Sequence, residues 1–240
     1  MSPVNFIVIL VVTFIVSTLT LLTGFGVGTV LTPVFALFYD AKTAVLLVSI
    51  VHLSNNLLKL GLFRRHINKE IFLKFGLISL VGAAAGSLLQ HQLAGDSVRS
   101  ALAVFLVLAG GVEFIPRTAK FKIPRSLDFL GGFFSGFLGG LIGNQGAIRS
   151  AYLLNYDLSK ESFIATATAI AVVIDLTRIP VYLYNQMEHV EAAALPLLVV
   201  TLVAFGGTLY GKSLLRKISL ERFRTIVAGF LIVMGVVLFF

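Results

Sequence analysis

Apolar stretches of bilayer length fill this chain and leave little room for anything else. An α-helix rises about 1.5 Å per residue, so about 20 apolar residues cross the hydrocarbon core of a membrane. Val4–Leu22, Thr43–Leu62, Ile71–Gln90, Val98–Ile115, Leu127–Ile142, Ser162–Tyr184, Ala192–Leu215 and Phe223–Phe240 reach or approach that length. Two more apolar pieces, Val27–Phe38 and Ala147–Asn155, are too short, and each follows a glycine-rich break. Charged residues make up 12% of the chain, where a soluble domain has about 25%, so no polar shell can be assembled. The sequence predicts an all-α integral membrane protein.

What is missing narrows the chemistry. There is no cysteine, which removes disulfides, thiolate metal sites and a thiol nucleophile. His52, His66, His91 and His189 are scattered without ligand spacing, so no metal site is expected. No nucleotide-binding motif occurs and no cofactor is expected. Ser135 lies in Ser-Gly-Phe-Leu-Gly rather than Gly-x-Ser-x-Gly, which makes an intramembrane enzyme the weaker reading. The net charge of +8 is carried between apolar segments, not along one soluble face. It reads as orientation by cytoplasmic Lys and Arg, with lipid rather than nucleic acid as the surrounding partner. The Asn5–Leu22 run has neither a basic flank before it nor an A-x-A site after it, and is expected to stay as a helix.

The two halves resemble each other. Val98-Arg-Ser-Ala-Leu-Ala-Val-Phe-Leu matches Phe223-Arg-Thr-Ile-Val-Ala-Gly-Phe-Leu, Val81-Gly-Ala-Ala-Ala-Gly matches Gly206-Gly-Thr-Leu-Tyr-Gly, and Phe38-Tyr-Asp-Ala-Lys matches Asn155-Tyr-Asp-Leu-Ser-Lys. Residues 1–115 and 127–240 are therefore expected to be two repeats, joined by a basic cytoplasmic linker over 116–126. Loop charge then sets the topology. The basic loops are Arg64-Arg65 to Lys69, Arg117 to Arg125, and Lys212 to Arg224. The loops at Tyr39–Lys42, Gln90–Asp96 and Asn185–Glu191 are acidic or nearly neutral. Eight single crossings would put basic loops on opposite faces. If Val4–Phe38 and Leu127–Asn155 each enter and leave on one face, every half crosses three times and all basic loops share the cytoplasmic side. Five crossings per half would give the same parity. An odd number makes the repeats inverted, with both termini outside.

The breaks read Thr23-Gly-Phe-Gly-Val-Gly-Thr-Val-Leu-Thr-Pro33 and Ser135-Gly-Phe-Leu-Gly-Gly-Leu-Ile-Gly-Asn-Gln-Gly-Ala-Ile-Arg149. Broken backbone survives at membrane depth only inside protein or around a wet cavity. A helix that restarts there turns free N–H groups and a positive dipole end toward the cavity, which favours an anion. Gly24, Phe25, Gly26 and Gly28 on one break, and Gly143, Asn144, Gln145 and Gly146 on the other, are the expected binding tips. The alternative is close helix packing through small residues, which is the expected role of Gly82/Gly86 and Gly207/Gly211.

These motifs resemble the TauE/SafE family of sulfite and sulfonate exporters. The likeness rests on the motif pair, the length, the two-fold repeat and the run Gly132-x-x-Ser-Gly-x-Leu-Gly-Gly-Leu-x-Gly143, and it covers essentially the whole chain. It implies a bacterial or archaeal inner-membrane protein that exports or takes up sulfur-containing anions such as sulfite, thiosulfate, sulfonates or sulfoacetate. The family's tighter glycine cluster followed by proline is absent from the second half, where Ser150 stands at the place matching Pro33.

Polar side chains within the spans complete the expected site. His52, Asn55, Asn56 and Lys59 fall at i, i+3, i+4 and i+7 and share one helix face, as do Asp175, Arg178 and Tyr182. Arg149 sits one turn past the second break. Arg149, Arg178, Lys59 and the amides would replace the water around an oxyanion, and a guanidinium suits a sulfonate oxygen pair. His52 and Asp175 are the candidates for proton coupling. Bland roles stay open beside these: Lys59 or Arg149 reaching the cytoplasmic surface, Asp175 and Arg178 neutralising each other, and His52 as a packing residue. The sequence thus predicts a secondary transporter for a small sulfur anion, with an anion channel as the alternative. It is silent on oligomeric state.

Overall fold

The computed structural model describes residues 2–23, 26–115, 124–214 and 220–240. Among them the chain is helical throughout, with no strand: α1 Pro3–Thr23, α2 Val27–Phe35, α3 Ala41–Phe63, α4 Lys69–Ile71, α5 Leu77–Gln92, α6 Gly95–Glu113, α7 Asp128–Ile142, α8 Gly146–Leu153, α9 Lys160–Ala192, α10 Ala194–Leu214 and α11 Leu220–Phe239. A π segment at Phe72–Gly76 joins α4 to α5, so that Lys69–Gln92 runs as one rod. Among the described residues six helical stretches are long and apolar enough to cross a membrane: Pro3–Thr20, Ala41–His66, Lys69–Gln92, Gly95–Glu113, Lys160–Tyr184 and Ala194–Leu214. Exposed Val104, Leu108 and Val112 on α6, and Leu195, Leu198, Leu202 and Leu209 on α10, form outward apolar stripes at helical spacing. Such stripes suit acyl chains, not water. The chain is a multi-pass membrane protein.

Local capping starts the long central helices. Asp40 accepts from the backbone N–H of Lys42 and Thr43 at the head of α3, and Ser159 accepts from Ser162 at the head of α9. Both are short polar side chains of the kind that satisfies the orphan N–H groups of a first turn. One expected loop is helix instead. The acidic segment 185–191 continues α9 as far as Ala192, and the interruption is confined to Gln186 at φ −134°, ψ 19°. Residues 187–192 hold Met, Glu and Ala, good helix formers that need no loop. Pro180 also lies inside α9, six residues before the departure from helical geometry.

Small residues fix which helices touch and in which sense. A Cβ on Gly132, Gly136 or Gly140 of α7 would fall 2.5, 2.0 and 2.3 Å from the carbonyl oxygens of Phe75, Ser79 and Ala83. Both series climb by one turn together, so α7 and α5 are parallel with backbones in contact. Gly207 and Gly211 of α10 stand likewise against the Phe14 and Thr18 carbonyls of α1. The expected packing role of Gly82/Gly86 and Gly207/Gly211 is met. In the central pair, His52 meets Asp175 while Phe63 packs near Ile164 and Ala165, so α3 and α9 are antiparallel. Gly110 against Ala228, and Gly235 against Ala103, make α6 and α11 antiparallel too.

These senses determine the path of the short helices. Thr208 bonds Asn55, and Leu197 and Val200 lie beside Leu47, so α10 runs with α3. Because α1 runs with α10, α1 and α3 point the same way and α2 must carry the chain back between them. Phe35 and Tyr39 accordingly end beside Phe6 and Ile9. In the other half α7 runs with α5, and α5 runs with α9, since Gly76 lies on Ile170 and Gln90 shares a cavity with Tyr182. Here α8 returns the chain, and the Tyr156 hydroxyl donates to Asp128 in the first turn of α7. All nine residues of α2 are buried.

Candidate functional site

The two breaks are where the interior turns polar. Gly26 caps α2 at φ 81°, ψ 150°, and Gly143 ends α7 in the left-handed region at φ 78°. These are conformations that residues with a Cβ rarely hold. Of the expected tip residues, Gly24 and Phe25 lie outside the described residues. A Cβ on Gly28 would sit 3.4 Å from the Gly143 carbonyl oxygen and 3.5 Å from the His52 ring, so the two breaks meet each other at the middle of α3.

Side chains bond the last carbonyls of α7, including Gly139 O, which also accepts from the Gly143 backbone N–H at 3.1 Å. Arg178 Nη1 donates to Gly139 O at 2.6 Å, the Tyr182 hydroxyl donates to Gly140 O, and Gln90 Nε2 donates to Leu141 O at 3.0 Å. A guanidinium is the favourable charge at the negative end of a helix dipole. This is what allows an open helix end to exist away from water.

Asp175 is the hub. Its Oδ2 lies 2.7 Å from His52 Nδ1, and its Oδ1 accepts from Arg178 Nε at 3.0 Å and Gln145 Nε2 at 3.4 Å, with Arg178 Nη2 at 2.8 Å. Gln145 passes the connection on, because its Oε1 accepts from Arg149 Nη1 at 3.2 Å. The Asn56 amide lies 3.2 Å from His52 Nε2. His52, Asn56, Lys59, Gln145, Arg149, Asp175 and Arg178 are all at least 96% buried. The shared face of His52, Asn55, Asn56 and Lys59 thus looks inward, as their spacing predicts. Asn55 turns to α10, where its Oδ1 accepts from Thr208.

Beside this hub is a narrow cleft of about 20 Å³, lined by Thr20, Gly26, Asn56, Lys59, Arg149, Ile164, Ala167 and Thr168. Lys59 enters it with no hydrogen-bond or ion-pair partner among the described residues. Asn144, 1% exposed at the second break, has neither amide atom satisfied. Gly146 opens α8, which carries Arg149 into the cleft. On the other side of the hub lies a wider cavity of about 310 Å³, bounded by Asp40, Lys42, Gln90, His91, Tyr182, Gln186 and His189. His52, Asp175 and Arg178 separate the two spaces.

Sequence reasoning missed Thr20 and the Gly139 and Gly140 carbonyls. For Thr20 a signal existed: Thr13, Ser17 and Thr20 recur at i, i+4 and i+7 in an otherwise apolar helix, and all three are buried. The carbonyls carried none, because their role depends on where α7 stops.

The arrangement can hold a small anion: it combines restarted helices, amides and several cations with one carboxylate. No curated protein matches the chain. Residues 9–238 match the family described as "Sulfite exporter TauE/SafE", a family of membrane transporters for sulfur anions, and the chain belongs to that family.

Proposed function

We propose that this protein is a secondary transporter that carries a small sulfur-containing anion (sulfite, thiosulfate, a sulfonate or sulfoacetate) through the cleft between its two helix breaks. One observation carries the reading. Among the described residues three buried cations, Lys59, Arg149 and Arg178, lie around the two breaks together with the carboxylate of Asp175, and Lys59 and Arg149 line the cleft at the start of α2. Positive charge at membrane depth is costly, and a cleft lined by two cationic side chains favours an anionic ligand. Gly26, Gly28, Asn56, Asn144, Gln145 and Gly146 add backbone and amide donors around it.

The chain path supports inverted repeats over 1–115 and 127–240 with a linker at 116–126. Exchanging the halves turns the parallel α1–α10 contact into the parallel α7–α5 contact, and leaves α3–α9 and α6–α11 as antiparallel partners. Antiparallel equivalents are what an axis in the membrane plane produces. In this reading α1–α2 and α7–α8 are the re-entrant hairpins, each half crosses three times, the basic loops are cytoplasmic, and both termini face outside the bacterial or archaeal inner membrane. Proton coupling through His52 and Asp175 belongs to the same reading. The layer of His52, Asp175 and Arg178 between cleft and outer cavity favours alternating access over an open channel.

The test is flux of a panel of sulfur anions into liposomes holding the purified protein, with and without a protonophore. Saturable flux of at least one sulfur anion, collapsed by the protonophore, is expected. Flux that rises linearly with concentration and ignores the proton gradient would favour a channel, and none at all would overturn transport.

A further inference from the structure

We infer that Asn144, in the turn between α7 and α8, selects an anion that carries its own hydrogen-bond donor: hydrogen sulfite, or a sulfonate with an O–H or N–H group. The inference rests on the anion reading above. Asn144 is 1% exposed, and among the described residues neither its Nδ2 nor its Oδ1 has a partner. The amide beside it is held at both atoms: Gln145 Nε2 donates to Asp175 Oδ1, and Gln145 Oε1 accepts from Arg149 Nη1. Asn56 lies against His52, and Asn55 Oδ1 accepts from Thr208. Asn144 is the amide at the breaks that the fold itself does not use.

Buried polar groups without a partner are rare, and each unmade bond costs free energy. The turn does not need this side chain. The main chain makes it, with Gly143 at φ 78°, the Gly143 N–H on Gly139 O at 3.1 Å and the Asn144 N–H on Leu138 O at 3.4 Å. A second unmet group stands across the junction on α2. Thr32 is fully buried, its Oγ1 has no partner among the described residues, and a Cβ on Gly143 would lie 3.3 Å from that oxygen. Unused hydrogen-bonding capacity from both halves thus collects where the two breaks touch.

An amide presents a donor and an acceptor together, whichever way it is turned. An oxyanion with no hydrogen of its own offers acceptors only. It can take the Nδ2 hydrogens, but it sets Oδ1 against negative oxygens and leaves it unpaired. An anion with an O–H or N–H meets both atoms. The Thr32 hydroxyl can donate or accept and so suits either ligand. A buried group that pairs with a ligand's donor rejects the analogue lacking it, because the acceptor is then stranded.

Sulfamate and methanesulfonate make the test direct. Both are monoanions at neutral pH with three oxygens around sulfur, and they differ by an amino group in place of a methyl group of similar size. Initial uptake of each into liposomes is measured for the wild type and Asn144→Leu, with thermal unfolding followed to confirm folded protein. The wild type should favour sulfamate about tenfold or more. Asn144→Leu keeps the bulk without hydrogen-bonding atoms and should bring the ratio close to one. General damage to the protein would lower both rates and leave their ratio alone. Equal handling of the two ions by the wild type, a preference for methanesulfonate, or an unchanged ratio in Asn144→Leu overturns this inference and leaves sulfur-anion transport standing. A wild type that moves neither of these nor any other sulfur anion overturns both. If Asn144→Leu does not fold, Asn144→Ala takes its place, and the wild-type ratio still decides whether a donor is read.

Discussion

His52 on α3 and Asp175 on α9 meet at 2.7 Å, Nδ1 to Oδ2, across an interface that joins the two halves of the chain. Neither side chain is more than 3% exposed. With the carboxylate accepting, Nδ1 carries the hydrogen and Nε2 turns to Asn56 and Gly26. The contact therefore ties the pairing of the halves to the conformation of the first break.

The two partners should differ in what their loss costs. Asp175→Ala removes the carboxylate from His52, Arg178 and Gln145 at once and leaves a buried guanidinium uncompensated, which is expected to cost about 3–5 kcal/mol. His52→Ala leaves Arg178 and Gln145 on Asp175 and should cost about 1–3 kcal/mol, the range for one unmade buried hydrogen bond. Thermal or denaturant unfolding in detergent micelles reads both. A larger loss for His52→Ala would show that Asp175 is not the hub.

Neighbouring glycines on α10 provide a matched pair. A Cβ on Gly207 would stand 2.6 Å from the Phe14 carbonyl oxygen, while one on Gly206 meets nothing within 4 Å. Gly207→Ala must push α1 and α10 apart and should destabilise by about 1–3 kcal/mol. Gly206→Ala should be neutral or gain up to about 1 kcal/mol from helix propensity. Equal melting temperatures for the two variants would contradict the parallel α1–α10 contact.

Much of this was legible in the chain and some was not, for physical reasons. Helix periodicity shows that His52, Asn55, Asn56 and Lys59 share a face, and apolar content shows that the face must turn inward. Glycine marks where α1 and α7 end to within a residue or two. Periodicity does not say which residue lies opposite, so the pairing of His52 with Asp175 and the commitment of Arg178 to the Gly139 carbonyl appear only in three dimensions. Nor does it separate a helix from a loop at 187–192, where polar character and helix propensity point different ways and propensity wins. The cleft needed both breaks to come together, and that contact depends on the mutual orientation of α3 and α9.

The end of the molecule where Tyr156 meets the first turn of α7 should respond to alkali. Burial, then the hydrogen bond it donates to Asp128, pushes the Tyr156 hydroxyl up to about 12 from the usual tyrosine value. The Arg125 guanidinium also lies 4.7 Å from the centre of its ring. A group with a folded-state pKa above the unfolded one adds stability that is whole below the unfolded value and fades as pH rises through the folded one. Stability should accordingly fall between about pH 10 and pH 12. Tyr156→Phe should be less stable at neutral pH and show a shallower decline over that window. Phenolate absorbance recorded alongside unfolding checks both, and parallel alkaline profiles for variant and wild type would refute the assignment.

Arg149 and Arg178 are both buried guanidiniums, yet their loss should separate cleanly by observable. Arg178 holds the end of α7 and the Asp175 carboxylate, so Arg178→Ala should lower thermal stability by about 3–5 kcal/mol, with transport lost as a consequence. Arg149 rises from α8 into the cleft beside Lys59, and its Nη1 donates to the Gln145 amide oxygen. Arg149→Lys preserves the charge but removes the paired donors that fit an oxyanion. It should leave the melting temperature of the empty protein within a few degrees and abolish most of the stabilisation that an added sulfur anion confers. Ligand-dependent thermal shift measured beside the ligand-free melting curve separates the two effects. A retained anion-induced shift in Arg149→Lys, or an anion-specific rather than global loss in Arg178→Ala, would exchange the roles of the two arginines.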